Sequence, residues 1–402
     1  MTSLQKLISL CSRYGYVYSA AEVPGKVLPG SYLYGPLGTE LKRNLLQQWW
    51  TSTVLSQELV YGVDSTQLMY DYDNDGQALS VLNPYSEDST NESDGGSLIG
   101  DHIFLQPSCR KGILCQYPAG LKLLNYKLPF GLAQIGHCFR RNFDNMESTK
   151  FLFNLPEFTQ MSLQFYSPPK TATKWMDVWQ RERILWWRKF AAHPSKFKLT
   201  DIKTSETQQT VEVQYEFPWG VDTIERITNR GDVDILEVQQ MGINVQGKFG
   251  RRNVTPVIIE ATAGLDRGIL AYLLDAYQEK ERTDTRGKLR PSELLCFHAK
   301  ITPFKVAVIP LKNTRDMREI SEHLSKELRM AGVNTLYMCD TQTTLDQHFV
   351  RFDAMGVPFT VIINENTLKN GVIAMRNRDT TLREKLHITE VTPLLLKHLS
   401  TE

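Results

Sequence analysis

Between residues 305 and 400, short β-branched and apolar runs take turns with amphipathic segments, and few folds accommodate that order. The runs at 305–311, 335–339, 359–363 and 372–375 are too short for core helices and rich in Val, Ile and Phe, so they read as strands. Segments 317–330, stopped by Gly332, and 345–355 carry helical spacing, and 381–400 is expected as a closing helix. Strands and helices in alternation bury their apolar faces together in a layered α/β domain, here of about 100 residues. The charged stretch 279–290 precedes it and predicts a linker. Two domains are therefore expected, 1–290 and 291–402.

The larger part opens with Leu4, Leu7, Ile8 and Cys11 at helical spacing, alongside Lys6 and Arg13 and with no acid before Glu22. A basic transit peptide and the first helix of the folded domain both fit; the second is preferred because ordered-looking sequence follows at once. Pro36 marks a helix start, and Leu37, Leu41, Leu45 and Trp49 recur every fourth residue. Strands are expected over 132–139 and 158–166. In the second, Met161, Leu163 and Phe165 point one way, and Gln160, Ser162 and Gln164 the other. A helix over 175–190 carries Trp175, Trp179, Trp186 and Trp187 among Arg181, Arg183, Arg188 and Lys189. Indoles interleaved with cations suit stacking on nucleic acid, but indoles packed inward with the charges solvated is the preferred reading. A strand at 257–260 leads into a helix at 265–277.

Charge and cysteine usage exclude whole classes. With 46 basic against 45 acidic residues the net charge is +1, so any nucleic-acid contact must come from a local patch. One candidate is Lys248, Arg251 and Arg252, which flank Gly247 and Gly250 in an expected exposed loop; a merely solvated loop is the competing reading. No Lys or Arg occurs between Arg43 and Arg110, whereas Asp71, Asp73, Asp75, Glu87, Asp88, Glu92 and Asp94 accumulate, which predicts an acidic surface loop over 71–97. The six cysteines are scattered, with no CxxC pair, so neither structural zinc nor a disulfide framework is expected and a reducing compartment fits. No apolar run has the length of a membrane span.

Three stretches carry a family resemblance. Tyr34-Gly35-Pro36-Leu37-Gly38 through Trp49-Trp50, then Leu128 through Gly136, then Glu260 through Arg267 resemble the three signatures of class II glycyl-tRNA synthetases. The resemblance implies an α+β fold, with a class II aminoacyl-tRNA synthetase-like antiparallel sheet domain followed by an α/β anticodon-binding-like domain. It also implies sites for ATP and glycine. Phe139-Arg140 and Gly264-Leu265-Asp266-Arg267 match the family, so Arg140 and Arg267 are two guanidinium groups of a vestigial nucleotide site. Elsewhere the pattern breaks. Gln106 through Lys111 stand where the family has Arg-Pro-Glu-Thr-Ala-Gln, Arg140-Arg141-Asn142 replaces Arg-Asn-Glu, and Thr159, Ser162 and Gln164 replace three glutamates. A desolvated glycine ammonium needs carboxylates to offset its charge, so no catalytic residues and no cofactor are expected.

A second resemblance is nearer. Trp50-Thr51-Ser52 with Val60 through Asp64, Trp186-Trp187-Arg188-Lys189-Phe190 with Pro194-Ser195, and Asp266 through Leu273 are similar to the accessory subunits of mitochondrial DNA polymerase gamma, as are Phe359 to Gly371, Arg376 to Thr381 and His387-Ile388. That resemblance implies a non-catalytic processivity factor in the mitochondrial matrix and nucleoid. Its implied partners are the catalytic polymerase subunit, met through the C-terminal domain, and double-stranded or primer-template DNA, with no membrane. The alternative is an active glycyl-tRNA synthetase. Vertebrate members dimerise largely through a helical insertion, and the acidic 71–97 stretch lacks helical periodicity where it would sit, so a monomer is expected.

Overall fold

The computed structural model describes residues 2–20, 30–70, 79–80, 103–140, 151–205, 208–283, 289–340 and 343–400. The first helix, Ser3–Tyr14, begins at a capping box between Thr2 and Gln5 and ends at left-handed Gly15. It buries Leu7, Leu10 and Cys11, as the first helix of a folded domain does. Helix Pro36–Trp50 follows, with Leu37, Leu41, Leu45 and Trp49 on its buried side. Its start is pressed against the end of the first helix, and a Cβ on Gly38 would lie 1.9 Å from the Tyr16 carbonyl oxygen. The Gly-Pro-Leu-Gly run is thus a packing requirement.

An eight-stranded sheet forms the main layer. Its order is Lys203–Thr204, Gln209–Phe217, Gly220–Gly231, Val257–Gly264, Glu157–Ser167, Phe130–Phe139 and Val60–Gly62, and Phe197–Leu199 also pairs with Gln209–Phe217. Every pairing is antiparallel except that of Val60–Gly62 with Phe130–Phe139. Met161, Leu163 and Phe165 of the central strand face a core shared with helices Pro36–Trp50, Ala172–Lys189 and Leu265–Ala276. Trp179, Trp186 and Trp187 are buried there, as preferred from the sequence. Arg183 is not solvated. It is buried in an ion pair with Glu225 at 2.7 Å, because its helix face turns under the sheet.

The second sheet is mixed. Thr335–Tyr337, Val306–Pro310 and Phe359–Ile363 run parallel, and Val372–Asn377 and Arg383–His387 add antiparallel. Val306–Pro310 and Phe359–Ile363 are buried throughout, which is why they read as unbroken apolar runs. Helix Arg315–Met330 packs on one face, capped by Thr314 and ended before Gly332.

Three expectations need correction. The stretch 381–400 is not one helix: Arg383–His387 pairs as an edge strand before helix Ile388–Ser400. The expected linker is a hairpin, with Tyr277–Thr283 paired to Leu289–Leu295, and Glu279, Lys280 and Glu281 sit on exposed positions of this two-stranded ribbon. The expected loop around Lys248 is a second hairpin, Gly247–Phe249 with Arg252–Val254, where Gly247 is buried against Leu128. Apart from the strand Leu79–Ser80, the acidic stretch 71–97 lies outside the described residues, as do Arg141 and Asn142.

Candidate functional site

Arg140 follows the strand Phe130–Phe139, and Arg267 lies in the first turn of helix Leu265–Ala276. The fold brings both to one recess of about 220 Å³, floored by Phe158, Gln160, Glu225, Thr262 and Asp266. A neighbouring recess of about 420 Å³ shares Arg140, Gln160, Arg226 and Thr262 and adds Arg110, Arg230 and Glu260. Together they form a cleft over the polar face of the central strands.

The groups in this cleft are bound to the protein itself. Arg267 donates through Nε to the Phe153 carbonyl at 2.8 Å, through one terminal nitrogen to the Thr223 carbonyl at 3.3 Å and through the other to Asn154 Oδ1 at 2.8 Å. It also lies 4.2 Å over the Phe153 ring, and burial draws its pKa below the ordinary arginine value. Arg140 donates to the Pro107 carbonyl at 3.2 Å and stacks on Phe158. Planar guanidinium groups bind phosphates with the same donors that are used here.

Carboxylates remain in the cleft, but they are committed inward. Asp266 accepts from Tyr34 Oη at 2.6 Å and from the Thr159 backbone at 3.0 Å. Glu225 accepts from Arg183 and from the Trp187 indole. Glu260 lies 3.8 Å from Arg230, and burial pushes its carboxyl above the ordinary range against the pull of Arg230 and Arg110.

On the central strand, Thr159, Ser162 and Gln164 are all buried. Ser162 sits between Gln134 and Thr262 of the neighbouring strands, and Gln164 between Leu132 and Glu260. Gln164 donates to the Arg110 carbonyl and accepts from Tyr166 Oη, while the hydroxyls of Thr159 and Ser162 have no hydrogen-bond partner among the described residues. Ser162 and Gln164 form a neutral row on one face of the strand, whereas Thr159 alternates to the face of Met161. Gln160 joins the row, accepting from the Cys109 backbone at 2.7 Å and from Ser108 Oγ at 3.1 Å.

The other candidates sit elsewhere. Lys248, Arg251 and Arg252 are exposed, but strand register separates them. Arg252 pairs with Phe249 and shares its face, whereas Lys248 pairs with Asn253 on the opposite face, with its ammonium 5.9 Å from the Tyr126 ring centre. Arg251 and Arg252 line a different recess with Lys170 and Phe249, neither of which the sequence singled out. Glu260 stood only as the first residue of the third signature, and Glu225, Arg226 and Arg230 of the cleft were missed. Their signal was the alternation of Val211, Val213, Tyr215 and Phe217 with polar residues ahead of Trp219-Gly220, which marks the hairpin that carries Glu225, Arg226 and Arg230.

Residues 305–398, which hold the mixed sheet, match the family described as "Anticodon binding domain". Over nearly its whole length the chain is similar to two kinds of protein. It is 35% identical to the Xenopus laevis protein named "DNA polymerase subunit gamma-2, mitochondrial" over 98% of this chain and 87% of that protein. It is 35% identical to Bos taurus "DNA polymerase subunit gamma-2" over 91% of this chain and 79% of that protein. It is 28% identical to the Borreliella afzelii "Glycine--tRNA ligase" over 100% of this chain and 98% of that enzyme. A synthetase-like α+β fold, a cleft whose charges are turned inward and the higher identity to the polymerase subunits agree: the chain belongs to the DNA polymerase subunit gamma-2 family.

Proposed function

We propose that this protein is a non-catalytic accessory subunit of the mitochondrial replicative DNA polymerase, acting in the matrix and nucleoid. It binds the catalytic subunit and strengthens the grip on primer-template DNA. The observation that carries the loss of catalysis is the neutral row of Gln160, Ser162 and Gln164 on one face of the central strand, whose buried hydroxyl and amides offer no charge to a glycine ammonium. The family supports the polymerase role, since relatives at 35% identity bear the subunit's name.

The division of labour we infer assigns residues 1–290 to a synthetase-like domain and 291–402 to an anticodon-binding-like domain whose surface meets the polymerase. Arg251, Arg252 and Lys248 are the proposed DNA contacts; their exposure supports this, since no described ion partner competes for them. Glycine-dependent ATP–pyrophosphate exchange tests the catalytic half. We expect no exchange above background, and glycyl-adenylate formation would reinstate the synthetase reading.

A further inference from the structure

The recess beside the Gly247–Val254 hairpin has about 700 Å³ of open volume and is lined by Pro168, Pro169, Lys170, Phe249, Arg251 and Arg252, with Val254 and Thr255 completing it. Among the described residues, three cations line it and no carboxylate does. Phe249 is 39% exposed. Its cross-strand partner is Arg252, so ring and guanidinium stand on the same face, with Arg251 at the turn beside Gly250. Lys170, more than seventy residues earlier in the chain, lines the same recess. Lys170, Arg251 and Arg252 have no ion-pair partner among the described residues.

An exposed ring set among unpaired cations, over an apolar floor, matches the two faces of an unpaired nucleotide. Its base offers a flat π surface, and its phosphate carries the charge. A base within a duplex is stacked on both sides and cannot reach a ring in a recess. We propose that this recess binds single-stranded DNA, with a base stacked on Phe249 and flanking phosphates held by Lys170, Arg251 and Arg252. The inference rests on the DNA-binding reading above and narrows it. It moves Lys248 out of the contact, adds Phe249 and Lys170, and assigns the unpaired template strand, not the duplex, to this surface.

The test is fluorescence anisotropy of the full-length protein, over a salt series and with variants compared at matched salt, with a labelled oligothymidylate and a labelled hairpin duplex. Phe249→Ala should weaken oligothymidylate binding by about tenfold, the loss of one base stack, and leave duplex binding as it was. Phe249→Trp should restore it. Replacing Arg251 and Arg252 with alanine should weaken oligothymidylate binding and flatten its salt dependence. Phe249 is an exposed hairpin residue, so its removal leaves the core intact. Unchanged oligothymidylate affinity in Phe249→Ala, or equal loss on both probes, would overturn the stacking assignment. So would variants that bind oligothymidylate normally but lose the polymerase, since the recess would then be a protein contact. A wild-type protein that binds neither probe would instead remove the DNA-binding reading itself.

Discussion

At the scale of single residues, an arginine kept from a signature need not keep its task. Arg267 is held in place by the protein's own acceptors, since each of its three nitrogens already donates within the protein, which leaves a phosphate no pair of free nitrogens. Arg267→Ala is therefore expected to lower stability by about 2 kcal/mol, because the Phe153 and Thr223 carbonyls lose their partner. Urea denaturation measures this. Isothermal titration with ATP should give the same heats for both proteins, and a heat lost only in the variant would restore Arg267 to a nucleotide site. Lys305 shows the opposite case, a residue with no signature but strong coupling to the fold. Its ammonium is buried against the carbonyls of Ala299, Lys300 and Thr302, and burial pulls its pKa down to about 7, with Glu40 pulling the other way. The unfolded chain holds that proton to about pH 10.4, so between those values the unfolded state binds more protons and stability rises with pH. Lys305→Met should flatten the rise, whose slope for one group is at most about 1.4 kcal/mol per pH unit. An unchanged slope in chemical denaturation at pH 7 to 9 would reject it.

At the scale of elements, the helix Ala172–Lys189 shows what periodicity conveys and what it omits. Its inward tryptophans were legible, since indoles at helical spacing have nowhere better to go. The burial of Arg183 was not, because its partner Glu225 lies on a strand 42 residues away, and pairing across elements leaves no local trace. Arg183 also donates to Thr53 Oγ1 and lies 4.8 Å over the Trp186 ring, joining three elements. Arg183→Leu should destabilise the protein by about 3–5 kcal/mol by leaving Glu225 charged and unpaired. The pair of changes Arg183→Leu and Glu225→Gln should recover part of that loss, and a thermal melt of the two variants decides it. The same limit applies to the cleft. Strand alternation located Gln160, Ser162 and Gln164, and the signatures located Arg140 and Arg267, but their partners come from strands and turns that pair only in three dimensions. Ribbons such as Tyr277–Thr283 with Leu289–Leu295 resemble linkers in sequence because their side chains are polar on exposed positions.

For the whole molecule, the two sheets share a core. Leu295, Phe297 and Ile301 cluster with Tyr16 and Trp49 on one side and with Phe349, Phe352 and Ile362 on the other. Helix Leu345–Ala354 packs on the strand Leu289–Leu295, and Asn44 donates to the carbonyls of Ile301 and Thr302. A chain cut near residue 282 would strip Tyr277–Thr283 of its partner strand, so the polymerase surface is better mapped by exposed substitutions in the intact protein. The acidic stretch between the first two signatures predicts a monomer, and sedimentation equilibrium should return the 46.1 kDa of one chain. A mass of twice that would show a dimer. Primer extension on a long primed single-stranded template, by the catalytic subunit with and without this protein, reads whether a synthetase fold with a neutralised site serves a polymerase. Longer products per binding event with the protein present are the predicted result, and product lengths unchanged by its addition at any concentration would contradict it.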